Sequence, residues 1–318
     1  MSADPYFQFV KLLLGGEGAD ASTVFTDESP VARGNATVGG NAQVDTAQFK
    51  FGAASLLLDG TGDYLSFADS ADWHLGTGHF TIEFFVRFNA LPATNQVFIG
   101  QWGSGAGTLS TTFYKSTAGK LEWAVSTTGS NVFVDISATW SPVINTQYHV
   151  AIDYDGTKYR AYIDGVMIGS STTARNIFNA PTVLGIGVQV VATASFPVNG
   201  WMDEIRWTKG VARYASDGGF TVPAEAYPRT GTQELAAVFD DNSEFTALLA
   251  LNPPALDLAA TFNDDDGFSA GISFISTTLL DLSANFSDDE DDGLFATLDL
   301  EPPAIPPPLQ TVVAAFST

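Results

Sequence analysis

Residues 79–88 read HFTIEFFVRF, in which apolar Ile82, Phe84, Val86 and Phe88 alternate with Thr81, Glu83, Phe85 and Arg87. A period of two predicts a β-strand with one buried face. Shorter runs of the same kind predict strands over 7–14, 96–102, 121–126, 132–136, 148–154, 158–163 and 201–208. Turn dipeptides punctuate them: Asp59-Gly60, Thr61-Gly62, Asp155-Gly156 and Asp164-Gly165. No segment keeps a helical period for three turns. Many short strands at this spacing predict an all-β sandwich or barrel.

Beyond residue 230 the pattern becomes a repeat. Alternating apolar or small residues end in Phe at Leu235/Ala237/Phe239, Leu256/Leu258/Ala260/Phe262, Leu280/Leu282/Ala284/Phe286 and Val312/Ala314/Phe316. An acidic turn follows each of the first three (DDNSE, NDDDG, SDDEDDG), then a returning run such as Phe268/Ala270/Ile272/Phe274 or Leu294/Ala296/Leu298/Leu300. Proline pairs separate the units at Pro253-Pro254 and Pro302-Pro303. Each unit is predicted to be a hairpin with one apolar face, which is marginal in water until it is buried on a neighbour. The run at Val312/Ala314/Phe316 has no return partner, so it must pair with an earlier strand, another subunit or another protein. The expectation is an assembly, with a second copy of the chain as a partner.

Charge sharpens this division. The chain carries 36 acidic and 13 basic residues, a net of −23. Arg229 is the last base; 16 acids follow it, leaving 20 acids against all 13 bases before it. The boundary is therefore placed near residue 230, with a sandwich over 1–229 and an acidic repeat over 230–318. Such acidity opposes binding to nucleic-acid phosphates and to anionic membranes, and leaves divalent cations as plausible partners. No run of about 18 apolar residues is present to span a membrane. With no cysteine, disulfides, thiolate metal sites and a cysteine nucleophile are excluded. Only His74, His79 and His149 are available for a histidine zinc site. The first residues, MSADPYFQFVKLLLGG, lack a basic n-region and a small-residue cleavage site. The expectation is a protein made in a cytoplasm and not exported by the usual route.

Seven stretches in sequence order carry a family resemblance: YFQFVKLLLGGEG, VFTDES, FGAASLLLDGTGDYLSF, LGTGHFTIEFFVRF, YHVAIDYDGTKYRAYIDGVMIGSS, LGIG and NGWMDEIRWTKGVARY. Together, over residues 5–228, they resemble the concanavalin A-like lectin/glucanase superfamily. Within it they resemble the laminin-G-like jelly-roll modules of bacteriophage structural proteins. The closing stretch and the acidic-turn repeats are similar to phage-borne members. The chain departs from the family at Gly15, where His is frequent, and at Phe85, where Trp is frequent. The resemblance implies a two-sheet jelly-roll sandwich of 12–14 strands, followed by the C-terminal β-hairpin repeats. It also implies a non-enzymatic virion structural protein of a tailed bacteriophage, a decoration or adhesion module with itself and other virion proteins as partners. The alternative is a carbohydrate-binding, lectin-like adhesion protein with a cell-surface glycan as partner.

Glucanases share the resemblance, which makes hydrolysis a candidate activity. A retaining mechanism needs two carboxyl groups about 5–5.5 Å apart, and the family's enzymes carry E-x-D-x-x-E on a strand. No such phrase occurs; Glu83 and Glu122 each stand alone, and Asp203 and Glu204, being adjacent, are expected on opposite faces. No G-x-S-x-G elbow occurs either. The expectation is that the protein is not an enzyme. By resemblance, Asp27 and Asp203 match positions that hold a structural Ca²⁺, with Asp59 as a further ligand candidate. The acidic turns of the repeat lack EF-hand spacing and read as solvated turns. Trp102, Trp123, Trp140 and Tyr114 lie on or near loops, and an aromatic platform suits sugar stacking. Trp102, Trp123 and Tyr114 are the candidate ligand residues, weighed against the alternative that these aromatics complete the core.

Overall fold

The computed structural model describes residues 4–190 and 194–231 in full, and beyond them the backbone of six strands between 233 and 301. In chain order the first fifteen strands are β1 (Val10–Leu14), β2 (Thr37–Gly39), β3 (Gln43–Asp45), β4 (Ser55–Asp59) and β5 (Tyr64–Phe67). Then come β6 (Phe80–Phe88), β7 (Gln96–Trp102), β8 (Leu109–Ser116), β9 (Lys120–Val125) and β10 (Phe133–Thr139). β11 (Gln147–Tyr154), β12 (Tyr159–Ile163), β13 (Val166–Ser171), β14 (Leu184–Ile186) and β15 (Asn199–Lys209) complete the set. The expected strand over 7–14 begins instead with a single 3-10 turn, Phe7–Phe9. Among the described residues no helix is long and apolar enough to cross a membrane.

The strands form two antiparallel sheets in a jelly-roll sandwich, one strand beyond the range that the resemblance implied. The eight-stranded sheet runs β13-β12-β11-β6-β15-β4-β3, with β1 also on β15; the seven-stranded sheet runs β10-β9-β8-β7-β14-β5-β2. The core lies between them. Phe80, Ile82, Phe84, Val86 and Phe88 point inward from β6 onto Phe98, Phe113 and Trp123 of the opposite sheet. Ring pairs such as Phe84–Phe98 (5.0 Å) and Phe113–Trp123 (5.9 Å) knit the layers together. Each large apolar side chain taken fully out of water contributes about 1.5–3 kcal/mol. The β12–β13 hairpin turns on Asp164 and Gly165, both at positive φ (49° and 77°). Asp-Gly suits the type I′ geometry that demands this.

One expectation for β6 is corrected. Thr81, Glu83 and Phe85 are as buried as the inward residues. The outer face of the eight-stranded sheet is covered by a second apolar cluster of Phe7, Val10, Leu13, Phe85 and Tyr227. Alternation identified the strand, but a face covered by its own chain segments is buried whatever its polarity.

The chain divides into two compact units, the first comprising Tyr6–Arg229 and the second containing Thr230 onward. In the second unit the strands are β16 (Gln233–Val238), β17 (Phe245–Ala250), β18 (Leu256–Phe262), β19 (Ala270–Ile275), β20 (Asp281–Ser287) and β21 (Leu294–Glu301). They fall where the repeat places them, but their pairing differs from three hairpins. β16 lies parallel to β18 and β17 parallel to β19, while β20 and β21 form an antiparallel pair. Leu235 pairs with Leu258 and Ala237 with Ala260, so the 23-residue period sets equivalent strands side by side. For the first two repeats this stacking gives each strand a neighbour of matching pattern, which a lone hairpin lacks, whereas β20 pairs with its own returning strand β21. The three acidic turns and the run at Val312/Ala314/Phe316 lie outside the described residues.

Candidate functional site

The charged residues of the sandwich converge first on the outer face of the eight-stranded sheet. Glu83 on β6 stands directly opposite Arg206 on β15. Arg206 donates to Glu83 Oε1 from Nε (2.9 Å) and Nη2 (2.7 Å). Tyr227 Oη donates to Glu83 Oε2 at 3.1 Å, Tyr214 Oη donates to the same oxygen, and His149 Nε2 lies 3.3 Å from it. Arg213 Nε stands 3.9 Å from Oε1. Burial alone would raise the Glu83 pKa. The cations of Arg206 and Arg213 and the His149 ring outweigh it and hold the carboxyl well below the usual carboxylate range. Burial, then the Glu83 charge, raises the hydroxyls of Tyr214 and Tyr227 far above the usual phenol value.

Three of these partners, Arg213, Tyr214 and Tyr227, come from residues 210–229, which cross this face after β15. Ala215 N donates to Asp153 Oδ2 at 2.6 Å. Asp217 accepts from Arg160 Nε (2.7 Å) and Lys158 Nζ (2.8 Å). Tyr227 N donates to Glu204 at 2.7 Å, and Arg229 bridges Glu204 and Glu28. Tyr214 stacks on Phe220. Burial pushes the Asp153 carboxyl up to about 6. The expectation that Asp203 and Glu204 point apart is corrected. The pairing of β15 with β6 slips between Asp203 and Arg206, with Glu204 at φ 50°, and this bulge turns both carboxylates to the outer side. The centre of the cluster, Glu83 with Arg206, is sealed, while Asp217 at its margin is exposed, and the chemistry of the whole is that of a clamp.

The outer face of the seven-stranded sheet is built differently. Pairing registers align Thr37, Ser66, Gly185, Gly100, Thr112, Ala124 and Val134 in one row across all seven strands. Inward neighbours such as Leu65, Ile99, Phe113 and Trp123 belong to the core, so the row faces outward. Every member before Val134 is small, and the row forms a shallow trough. Tyr114 stands two residues beyond Thr112 on β8, and Trp102 two beyond Gly100 on β7. These strands are antiparallel, so the two half-buried aromatics border the trough from opposite sides, ~13 Å apart along the strand direction. Beside Tyr114 the bank continues with Glu122 and Ser137, paired across β9 and β10. Ser137 Oγ donates to Glu122 Oε1 at 3.0 Å. Burial and the Glu122 carboxylate raise the Tyr114 hydroxyl well above the usual phenol range. In the floor, Thr112 Oγ1 has no hydrogen-bond partner among the described residues, and neither has the buried Ser110 Oγ at the slip of β8 beside it. Buried hydroxyls are normally paired, so these two are notable.

The structure thus brings Tyr114 and Trp102 to one face. Trp123 is corrected: it is fully buried against Phe80 and Phe113 and has no face left for a sugar. Trp140 is likewise in the core, against Phe88 and Phe98. Sequence reasoning missed Gly100, Thr112 and Ser137, and weighed Glu122 for hydrolysis alone.

The calcium candidates do not fit a metal. Asp27 is buried, and its two oxygens accept from Leu13 N, Ser29 N, Ser29 Oγ and Arg33 N at 2.9–3.1 Å. Asp59 accepts from Thr61 N (2.7 Å) and Asn41 Nδ2 (3.3 Å). Asp203 Oδ2 accepts from Lys50 N (2.7 Å) and Phe51 N (3.1 Å), while Oδ1 is buried without a partner. Burial pushes the Asp203 carboxyl up to about 7. Calcium needs six to eight oxygen ligands, whereas these carboxylates are turned toward N–H donors. Among the described residues no group of three histidine, aspartate or glutamate side chains is placed to hold a metal ion.

Residues 59–213 match the Laminin_G_3 family model, described as the concanavalin A-like lectin/glucanases superfamily. Over this segment the chain is similar to that superfamily. Among solved structures, domain 4 of AbnA, a GH43 extracellular arabinanase from Geobacillus stearothermophilus in complex with arabinotriose, is 16% identical (TM-score 0.47), over 66% of this chain and 94% of that one. A Trypanosoma rangeli sialidase complex is 16% identical (TM-score 0.44), over 63% of this chain and 30% of that one. The binding domain of botulinum neurotoxin DC in complex with SialylT is 14% identical (TM-score 0.45), over 65% and 49%. Comparison with curated proteins finds no match.

Proposed function

We propose that the protein is a non-catalytic adhesion module whose lectin-like domain binds a glycan in the trough of the seven-stranded sheet. The observation that carries this reading is the pairing of two flanking aromatics with unpartnered hydroxyls in the floor. Sugar C–H faces stack on aromatic rings, and sugar hydroxyls satisfy buried polar groups that lack partners. A non-catalytic role is supported by the fate of the carboxylates: Glu83 is consumed by Arg206, and Glu122 is held by Ser137. A glycan array probed with the full chain tests the reading. Binding that Trp102→Ala and Tyr114→Ala abolish supports it; binding that neither variant changes contradicts it.

The module is further proposed to sit on the surface of a tailed-bacteriophage particle, the repeats after residue 230 mediating assembly with itself and other virion proteins. Supporting this are the resemblance of NGWMDEIRWTKGVARY to phage-borne modules and the stacking of equivalent repeat strands. Quantitative mass spectrometry of purified particles against the major capsid protein tests it. Hundreds of copies fit a decoration role and a few copies a fibre role, whereas absence from particles leaves a surface lectin as the better reading.

A further inference from the structure

We infer that the trough is blind at one end, and that the site takes the terminus of a linear oligosaccharide, not an internal stretch. This rests on the glycan-binding reading and specifies which part of the glycan enters.

On β14, Leu184 and Ile186 belong to the core, so Gly185 between them faces the outer side. The space where a Cβ would stand at Gly185 is already filled, by Val190 Cγ2 at 2.6 Å and the Val188 carbonyl at 3.0 Å. Val190 therefore lies across the row between Gly100 and Ser66 and closes the trough there. The block is fastened in place. Gln189 and Ser195 exchange backbone hydrogen bonds of 2.9 and 3.1 Å, and Gly187 N donates to Phe98 O at 2.7 Å. Gln189 Nε2 also reaches Gly103 O at 3.2 Å. At the other end, β10 is the edge of the sheet and Val134 is exposed. From β7 to β10 the trough crosses three strand spacings, about 14 Å, open at β10 and closed at β14.

A row of small residues alone does not mark a ligand site. Here Thr112, only 5% exposed, supplies the independent sign, because it stands in the outward row and its Oγ1 has no partner among the described residues. Thr112 lies one strand from Gly100, next to the closed end. The terminal ring of a glycan carries a hydroxyl where an internal ring carries a glycosidic link. A terminus pushed against Val190 can present that hydroxyl to Thr112 or Ser110; a chain passing through has no path beyond Gly185.

The test is an array of linear oligosaccharides in which every glycan is coupled twice, once through its reducing and once through its non-reducing end. The full chain is expected to bind one orientation of each recognised glycan about tenfold or more tighter than the other. Val190→Ala removes the Cγ2 contact but leaves the Val188 carbonyl and the Val190 Cβ over Gly185, so it is expected to narrow the preference without abolishing it. Val190→Thr, which keeps the volume, is expected to retain the preference and serves as the folding control. Equal binding of both orientations by the unaltered chain, or a preference that Val190→Ala leaves wholly unchanged, overturns the inference while leaving glycan binding intact. No binding to any glycan overturns both.

Discussion

The two outer faces of the sandwich start from the same device, an alternating strand with polar residues outward, and finish as opposites. On the eight-stranded sheet the outward row Ala151–Glu83–Arg206 runs beneath residues 210–229, whose Tyr214 and Tyr227 close over the carboxylate. On the seven-stranded sheet the outward row Gly100–Thr112–Ala124 lies recessed between Trp102 and Tyr114, with hydroxyls that none of the described residues satisfies. The difference lies in where charge and hydroxyl are placed. Full charges cannot be left buried without partners, so a face bearing Glu83, Arg206 and Arg213 must be completed by its own chain. A buried hydroxyl without a partner costs only about 1–3 kcal/mol, so a binding face can hold one in reserve.

The largest effect that sharpens this contrast is expected at the clamp. Glu83→Gln leaves Arg206 and Arg213 buried without their carboxylate and should lower unfolding free energy by about 3–5 kcal/mol in denaturant titrations. Trp123→Ala, on the core side of the seven-stranded sheet, should also cost about 3–5 kcal/mol. Tyr114→Ala, one strand away on the outer side, should cost about 1 kcal/mol and act on glycan binding instead.

The clamp also sets a pH dependence. The Asp203 carboxyl is raised to about 7 in the folded chain, and the usual value is 3.8. Between these values the folded state holds a proton that the unfolded state has released. Stability contributed this way therefore falls as pH rises from about 4 to 7, and Asp153, raised to about 6, adds a parallel fall. Glu83, held low, acts in reverse: its contribution is present above the ordinary glutamate value and lost as pH drops toward its folded pKa. Thermal unfolding across pH 4–8 should show the fall, and Asp203→Asn should flatten part of it. Two coincident profiles would contradict a buried, proton-binding Asp203. The smallest effect is expected at Thr112→Val, which removes an unpartnered hydroxyl. Stability should hold or rise by about 1 kcal/mol while glycan affinity falls.

Much of the sandwich was legible because period-two runs and Asp-Gly turns are local signals. β8 was not: LSTTFYKS is dominated by hydroxyls on both phases and shows no apolar alternation. Glu83 read as a lone carboxylate because Arg206 lies 123 residues away and His149 lies 66 away. Trp123 could have been placed in the core, since it shares its phase with Leu121 and Val125. For Trp102 phase was hidden in the sequence, because β7 slips between Val97 and Ile99 and sets the adjacent Phe98 and Ile99 both in the core. The bulge that turns Asp203 and Glu204 to one side leaves no mark in WMDEIRW, and the parallel pairing of the repeats is set by a period that also fits hairpins. Sequence proximity shows what shares a strand; only register shows what shares a face.

The most direct test is a pair of binding isotherms for an array-selected glycan, with Tyr114→Ala and Trp102→Ala beside the unaltered chain and thermal unfolding recorded for each. The account predicts that each substitution weakens binding about tenfold or more while the unfolding temperature stays close to that of the unaltered chain. Unchanged affinity in both variants would contradict it, and would move the binding face away from the seven-stranded sheet.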